Sequence, residues 1–216
     1  MGRVFCIVGK SSSGKDTIYK KLLKNPELHL KRIVSYTTRP IRAEEQEGVE
    51  YHFTTAAAME QMQRENTIIE CRTYDTVYGA WHYFMAKDSQ IDLEQNDYLV
   101  IGTLESYIKL KDYFGKDRVI PVYIDLEDGE RLSRALEREK KQIQPKYEEM
   151  CRRFLADAKD FTQDNLENAG ITRKFNNDDL KECLNEIEAY IISCMTEDVE
   201  KRELKGNSLW GDIDGF

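Results

Sequence analysis

Short apolar runs alternate with amphipathic stretches along this chain. Val4 to Val8 is a continuous β-branched and aromatic run, the pattern of a strand buried on both faces of a parallel sheet. After a small polar loop, Ile18, Leu22 and Leu23 fall on one side of a helix that begins at Gly14 and stops near Asn25-Pro26. Ile33 and Val34 lead into SYTTRPIRAEEQEGVEYHF, Ser35 to Phe53, which has too few apolar positions to build core and is punctuated by Pro40 and Gly48 as turns or edge strands. Thr54-Thr55 supplies an N-cap for a helix over 56–64, and Ile68-Ile69-Glu70 opens a strand-like piece that ends at Tyr78-Gly79. Tyr98 to Ile101 and Val119 to Asp125 predict two further strands, separated by a helix carrying Leu104, Ile108, Leu110 and Phe114. Alternation of this kind predicts an α/β fold with a parallel sheet.

Beyond Glu127 the pattern turns helical and highly charged. Pro145 sits where a new helix begins, with Met150, Phe154, Ala158 and Phe161 on its inner stripe. Arg173 to Asn177 predicts a last edge strand, and Leu180, Leu184, Ile187 and Ile191 an amphipathic helix that packs back on the sheet. After Thr196 the large apolar groups Val199, Leu204, Leu209, Trp210, Ile213 and Phe216 follow no sustained period, so a loosely attached tail is expected.

Composition narrows the function classes. The chain has 216 residues, 40% of them hydrophobic and 33% charged, which suits one soluble α/β domain with insertions. A formal net charge of −8 argues against broad electrostatic binding to nucleic acid or anionic lipid, so any bound anion must be held by a local cluster. Cys6, Cys71, Cys151, Cys183 and Cys194 show no CxxC spacing and read as reduced thiols of a cytoplasmic protein. No stretch approaches the ~20 apolar residues of a membrane span; the run at Val4 is too short for a signal-peptide core, and Cys6 stands where a myristoylation signal needs Ser or Thr.

The first chemistry-bearing motif is VFCIVGKSSSGKDTIY. Gly9, then four residues, then Gly14-Lys15 between a strand and a helix fits a P-loop, in which backbone N–H groups and a helix N-terminus cradle an oligophosphate. Gly9, Ser11, Ser12, Ser13, Gly14, Lys15, Asp16 and Thr17 are the expected ATP-binding residues, with Lys15 reaching the outer phosphates. One position departs from the pattern: Asp16 stands where Ser or Thr usually ligates Mg²⁺, and its carboxylate is the expected hard-cation ligand. A mobile helical pair above such a loop can close over a transferring phosphate, which singles out Arg138, Arg152 and Arg153 from an otherwise solvated charged face.

The second motif lies in the polar stretch. Arg39 and Arg42 stand three apart after Thr37-Thr38, followed by Glu45, Gly48, Tyr51 and Phe53. Two guanidinium forks with a tyrosine hydroxyl suit a compact dianion such as a nucleotide monophosphate. Along its whole length SYTTRPIRAEEQEGVEYHF resembles the GMP-binding segment of the guanylate kinase family. The similarity continues through Glu70 and the Tyr78-Gly79 turn and returns at Asn177-Asp178-Asp179-Leu180, spanning residues 3 to about 190.

The resemblance implies a three-layer P-loop NTPase core with a parallel sheet (1–34, 87–126 and 164–195), an inserted monophosphate-binding segment (35–86), a helical lid (127–163) and a C-terminal tail (196–216). It implies that Ser35 and Glu70 face the guanine, that Arg39, Arg42, Tyr51, Tyr78 and Gly79 surround the monophosphate, and that Asn177 borders the adenine of ATP. Arg138 and Arg153 align with the lid arginines and join Lys15 as catalytic residues. The expected reaction is ATP-dependent phosphorylation of GMP with Mg²⁺, in a monomer or homodimer whose partners are small nucleotides rather than nucleic acid or membrane. Besides Asp16, Ala80 replaces a hydroxyl residue that bonds guanine O6, and Ile101 and Thr103 replace a strand-end acidic pair. Loss of base-reading groups relaxes discrimination. A kinase for another (deoxy)nucleoside monophosphate therefore stands as an alternative, as does a non-catalytic binding module.

Overall fold

The computed structural model describes residues 2–42, 45–76 and 79–208. The chain runs β1 (Val4–Gly9), α1 (Lys15–Lys24), β2 (Lys31–Arg32), β3 (Tyr36–Thr37), β4 (His52–Phe53), α2 (Ala56–Arg64), β5 (Ile68–Thr76) and β6 (Gly79–Ala86). It continues through β7 (Tyr98–Ile101), α3 (Leu104–Phe114), β8 (Val119–Asp125), α4 (Asp128–Lys140), α5 (Tyr147–Asp160), α6 (Gln163–Asn168), β9 (Lys174–Asn176) and α7 (Leu180–Ser208).

Five strands form a parallel sheet in the order β2-β7-β1-β8-β9, with β1 in the centre. Every residue of β1 is buried, which is why its sequence is apolar without alternation. Side chains still alternate between two cores. Val4, Cys6 and Val8 pack with Leu104, Tyr107, Leu110, Phe161 and Leu166 from α3 and the α5–α6 region. Phe5 and Ile7 pack with Ile18, Leu22, Cys183, Ile187 and Ile191 from α1 and α7. The result is a helix–sheet–helix sandwich whose central strand delivers the glycine-rich loop at its C-terminal end, where ligands of open parallel sheets bind.

A second sheet, β4-β3-β6-β5, carries the polar stretch. Its long hairpin pairs Glu70 with Met85, Arg72 with Tyr83 and Tyr74 with Trp81. The sequence reading ended this region at Gly79 as a turn; β6 is an additional strand, because its aromatic residues pack on β3, β5 and α2 rather than on the main core. Thr55 caps α2 through its side chain, as expected.

Two expectations need correction. The inner stripe of α5 is displaced at its end: Met150 and Phe154 are half-buried but Ala158 is exposed, and Asp157 turns inward instead. A 3.6-residue period separates neighbouring positions by only ~100°, so one inward polar group is easily misassigned. The chain also does not leave helical structure at Thr196, since α7 continues to Ser208; Leu209 to Phe216 lie outside the described residues. Among the described residues, no helix is long and apolar enough to cross a membrane.

Candidate active site

The loop from Gly9 to Lys15 is built by close backbone packing. A Cβ at Gly9 would fall 2.6 Å from the carbonyl oxygen of Ile124, and one at Gly14, where φ is +91°, would fall 2.2 Å from Asn177 Nδ2. Only glycine fits both the space and the left-handed backbone at Gly14. Asn177 Nδ2 donates to the carbonyl of Ser13 at 2.7 Å, and the residue is 2% exposed. Its amide is therefore committed to holding the loop from behind.

The hydroxyls of Ser12 and Ser13 are buried without a hydrogen-bond partner, and Ser12 adopts a φ of +63°. Buried polar atoms left unpaired, in a loop held in a costly conformation, are what a phosphate-accepting cradle presents. Lys15 opens α1 and donates from Nζ to the carbonyl of Lys10 at 3.2 Å. Burial pushes its ammonium pKa down, while Asp16 and Asp157 oppose that shift. Asp16 and Thr17 are exposed on the first turn of α1.

The lid reaches this loop through a residue that the sequence reading passed over. Arg131, on α4, is wholly buried; its Nη1 donates to the carbonyl of Ser11 at 2.9 Å, and Nε and Nη2 both reach Asp128 Oδ1 at 3.0 and 2.8 Å. The guanidinium lies 4.5 Å from the Phe154 ring centroid and 3.6 Å from Asp157 Oδ2. Asp157 in turn accepts the Ser11 backbone N–H at 2.7 Å. Both polar groups of one loop residue are thus held by the lid, Arg131 on the carbonyl and Asp157 on the amide. Lys10 joins the same network through Asp128 at 3.0 Å.

Arg138 and Arg153 line a cavity of about 60 Å³ beside Ser11 and Ser12. Arg153 pairs with Glu149 at 3.0 Å, and Arg152 pairs with the same carboxylate at 2.7 Å. The two guanidinium groups drop the Glu149 carboxyl to about 2. Arg138 and Arg153 thus line the cavity beside the loop, and Arg152 does not.

On the small sheet, Arg39 is 4% exposed and enclosed on all sides. Nη2 and Nη1 take the two oxygens of Glu45 at 2.7 and 3.0 Å, and Nε donates to the Tyr83 hydroxyl at 3.1 Å. The rings of Tyr51 and Phe53 lie 5.6 and 5.7 Å from its guanidinium carbon. Arg39 holds the Glu45 carboxyl below the usual carboxylate range. Arg42 is exposed, its backbone N–H bonded to Glu45 Oε2 at 2.9 Å. Ser35 is half-buried and its carbonyl accepts the His52 N–H at 2.9 Å. Gly79 opens β6 with φ +102°, while Tyr78 lies outside the described residues.

Glu70 is 3% exposed and accepts from Ser106 Oγ at 3.3 Å and from Arg72 Nη2 at 3.4 Å. The two positions where acids were expected have structural duties instead. Ile101 packs against the core on the α1–α7 side, and Thr103 caps α3 by accepting the Ser106 N–H at 3.2 Å. Among the described residues, no group of three or more His, Cys, Asp or Glu side chains is placed to hold a metal ion. Arg131 and Asp157 carried no local signal beyond the i,i+3 spacing of Asp128 and Arg131, and Arg72 none beyond its alternation with Glu70.

Comparison with known proteins matches residues 1–194 to the family model described as guanylate kinase. Among curated relatives, a guanylate kinase of Caldanaerobacter subterraneus subsp. tengcongensis is 29% identical over 89% of this chain and 87% of its own length. One from Mycoplasmoides gallisepticum is 36% identical over 46% of this chain and half of its own length, so that alignment covers only part of either protein. Among solved structures, the crystal structure of guanylate kinase from Anaplasma phagocytophilum superposes with a TM-score of 0.58 at 20% identity, covering 89% of this chain and 85% of the other.

Proposed function

This chain belongs to the guanylate kinase family, and from that premise we propose that it transfers the γ-phosphoryl group of ATP to a phosphate oxygen of GMP, releasing ADP and GDP. The observation that carries the reading is the presence of two separate anion seats in one chain. The first is the loop of unpaired serine hydroxyls and Lys15; the second is the enclosed Arg39 on the small sheet. In-line transfer forms the bond between the acceptor oxygen and the γ-phosphorus as the β–γ bridging bond breaks, and the electron pair leaves on ADP. The acceptor is already ionised, so no general base is needed. Catalysis comes from positioning and from charge stabilisation by Lys15, Arg138 and Arg153. Closure of α4 and α5 excludes water and suppresses ATP hydrolysis.

Mg²⁺ fits the donor set in a restricted way. Asp16, exposed on the first turn of α1, and the substrate phosphates are hard oxygen donors, and an ion that retains several waters needs few protein ligands. When bound, the ion would neutralise phosphate charge. Asp16→Asn is expected to raise the Mg²⁺ concentration for half-maximal rate several-fold, since an amide is the weaker ligand for a hard cation. A magnesium titration that superposes on the wild type would remove Asp16 from the metal site.

Arg39→Ala is expected to raise KM for GMP at least ~100-fold, since a desolvated guanidinium is lost and Glu45 is left facing the incoming dianion. Exposed Arg42→Ala should cost about 10-fold or less. Neither should move the Kd for ATP by a comparable factor. Titration calorimetry with both nucleotides is the check, and equal losses for the two ligands would contradict an acceptor seat on the small sheet.

The reading itself is tested by ADP release with each ribo- and deoxynucleoside monophosphate. GMP should lead the panel; a lead by another base would transfer the assignment to that acceptor, and no turnover at any Mg²⁺ concentration would leave a non-catalytic binding module.

A further inference from the structure

Resting on the GMP-kinase reading, we infer that Arg72 is a specificity-determining residue that donates to O6 and N7 of the acceptor guanine. Glu70, Arg72 and Tyr74 are alternate residues of β5 and so share one face of the small sheet. Arg72 stands opposite Tyr83, whose hydroxyl binds Arg39 and whose ring meets both Tyr51 and Tyr74 at 5.5 and 5.6 Å. That face therefore carries, in order, a buried carboxylate, a guanidinium and the aromatic enclosure of the phosphate arginine. Arg72 occupies the middle, between the base end and the phosphate end.

The chemistry of the pair matches one edge of guanine. On that edge N1–H and N2–H are donors and the neighbouring O6 is an acceptor, with N7 beyond it. If Glu70 accepts from the two N–H groups, the donor immediately beside its carboxylate is the one that meets O6. That donor is Arg72. Its Nε lies 3.3 Å from Glu70 Oε2 and its Nη2 3.4 Å from Oε1, a side-on ion pair that leaves Nη1 and the second Nη2 hydrogen as the donors still to be used. The contacts on Glu70 are long, 3.3 Å from Ser106 and 3.4 Å from Arg72 Nη2, and a carboxylate has about four acceptor positions. Acceptor positions on the carboxylate therefore stay unfilled.

Arg72 is 21% exposed on the side chain, and it lines, with Thr103 and Tyr74, a cleft of about 780 Å³ between β5 and α3. A guanidinium fork bonding O6 and N7 together is the commonest specific contact by which proteins read guanine in duplex DNA, and its geometry serves a free base equally. Here it supplies the O6 donor that Ala80 cannot, and its charge offsets the cost of enclosing Glu70, whose side chain is 2% exposed.

The test compares GMP, IMP and the 2,6-diaminopurine riboside 5′-monophosphate as acceptors for wild type and Arg72→Ala. IMP keeps O6 and N7 but lacks the 2-amino group; the diaminopurine nucleotide keeps N7 but replaces O6 with an amino donor and N1–H with an acceptor nitrogen, so wild type and variant are compared on each acceptor separately. Loss of a charge-assisted donor should lower kcat/KM for GMP and IMP together by roughly 10- to 100-fold, and lower that for the diaminopurine nucleotide, which offers Arg72 only N7, by clearly less. A uniform loss on all three acceptors, or a loss for GMP that spares IMP, would overturn the inference, the latter because IMP presents the same O6 and N7 as GMP. Should Arg72→Ala not fold, Arg72→Gln takes its place: a rotatable amide donates to O6 or accepts from an amino group, so the GMP-to-diaminopurine preference must narrow. An unchanged preference would sink the idea. Wild-type protein that fails to prefer GMP over AMP would overturn the functional reading instead, so the two failures are separable.

Discussion

Lys15→Ala yields a folded protein whose phosphoryl transfer falls by about 10³-fold, the scale of removing one preorganised donor from a developing charge. Lys15 is half-buried at the first turn of α1, and its one hydrogen bond goes to the carbonyl of Lys10, inside the same loop. It fills no core, so its removal should leave the thermal midpoint nearly unchanged. The loss should fall on kcat more than on KM for GMP, because the acceptor seat proposed above is on the other sheet and charge on the transferring group is greatest in the transition state. Turnover is read from ADP release, and folding from the thermal midpoint of the same preparation. Near-normal turnover in a folded variant would remove the phosphate-loop assignment.

The loop was legible in the sequence because all its chemistry is contiguous: an apolar strand, two glycines at fixed spacing, a lysine and the start of a helix within sixteen residues. The parallel strands β1, β7 and β8 were legible for a related reason, since strands enclosed on both faces write uninterrupted apolar runs. β6 was not. Its sequence GAWHYFMA mixes glycine, histidine and aromatic residues, and the strand exists through pairing with β5 and β3 rather than through its own pattern. Asn177 was placed at the site by resemblance, while its contact with the Ser13 carbonyl, which ties it to the loop across 164 residues of sequence, left no local trace.

Charge was the other obstacle. A chain of net −8 that binds two anions must concentrate its cations, and Lys10, Lys15, Arg131, Arg138 and Arg153 gather around one loop from the loop itself and from α1, α4 and α5. In the linear sequence those arginines belong to a run of glutamates and lysines with the look of a solvated face. Arg131 and Arg138 are seven apart on one helix, yet the first is wholly buried and the second exposed. Nothing in spacing distinguishes them. The difference arises because Arg131 meets Phe154 and Asp157 from a neighbouring helix, a contact fixed only once α4 and α5 pack together.

Arg131→Ala has the largest expected effect on stability. The substitution leaves the carbonyl of Ser11 without its side-chain donor, removes the partner of Asp157, and strips the face of Phe154. Breaking a buried ion pair by deleting one partner costs ~3–5 kcal/mol, and the half-exposed Asp128 side reduces that to about 2–4 kcal/mol here. For a chain of this size each kcal/mol lowers the thermal midpoint by about 2–4 °C, so a fall of roughly 5–15 °C is expected. A pH dependence follows with a definite sign. Arg131 holds the Asp128 carboxyl below its ordinary value, so the stabilisation is complete above the unfolded-state value of ~3.9 and is lost as pH falls through the lower folded-state value. The variant should therefore lose less stability than wild type on acidification through that window. ATP affinity should fall too, because Ser11 is freed on its carbonyl side while Asp157 keeps its backbone N–H. Arg131→Lys retains the charge without the fork that reaches Ser11, Asp128 and Asp157 at once, and should land between the two. Thermal unfolding at neutral and acidic pH, paired with ATP titration, decides the matter: an Arg131→Ala protein with wild-type midpoint and wild-type ATP affinity would show that the lid network does not hold the loop.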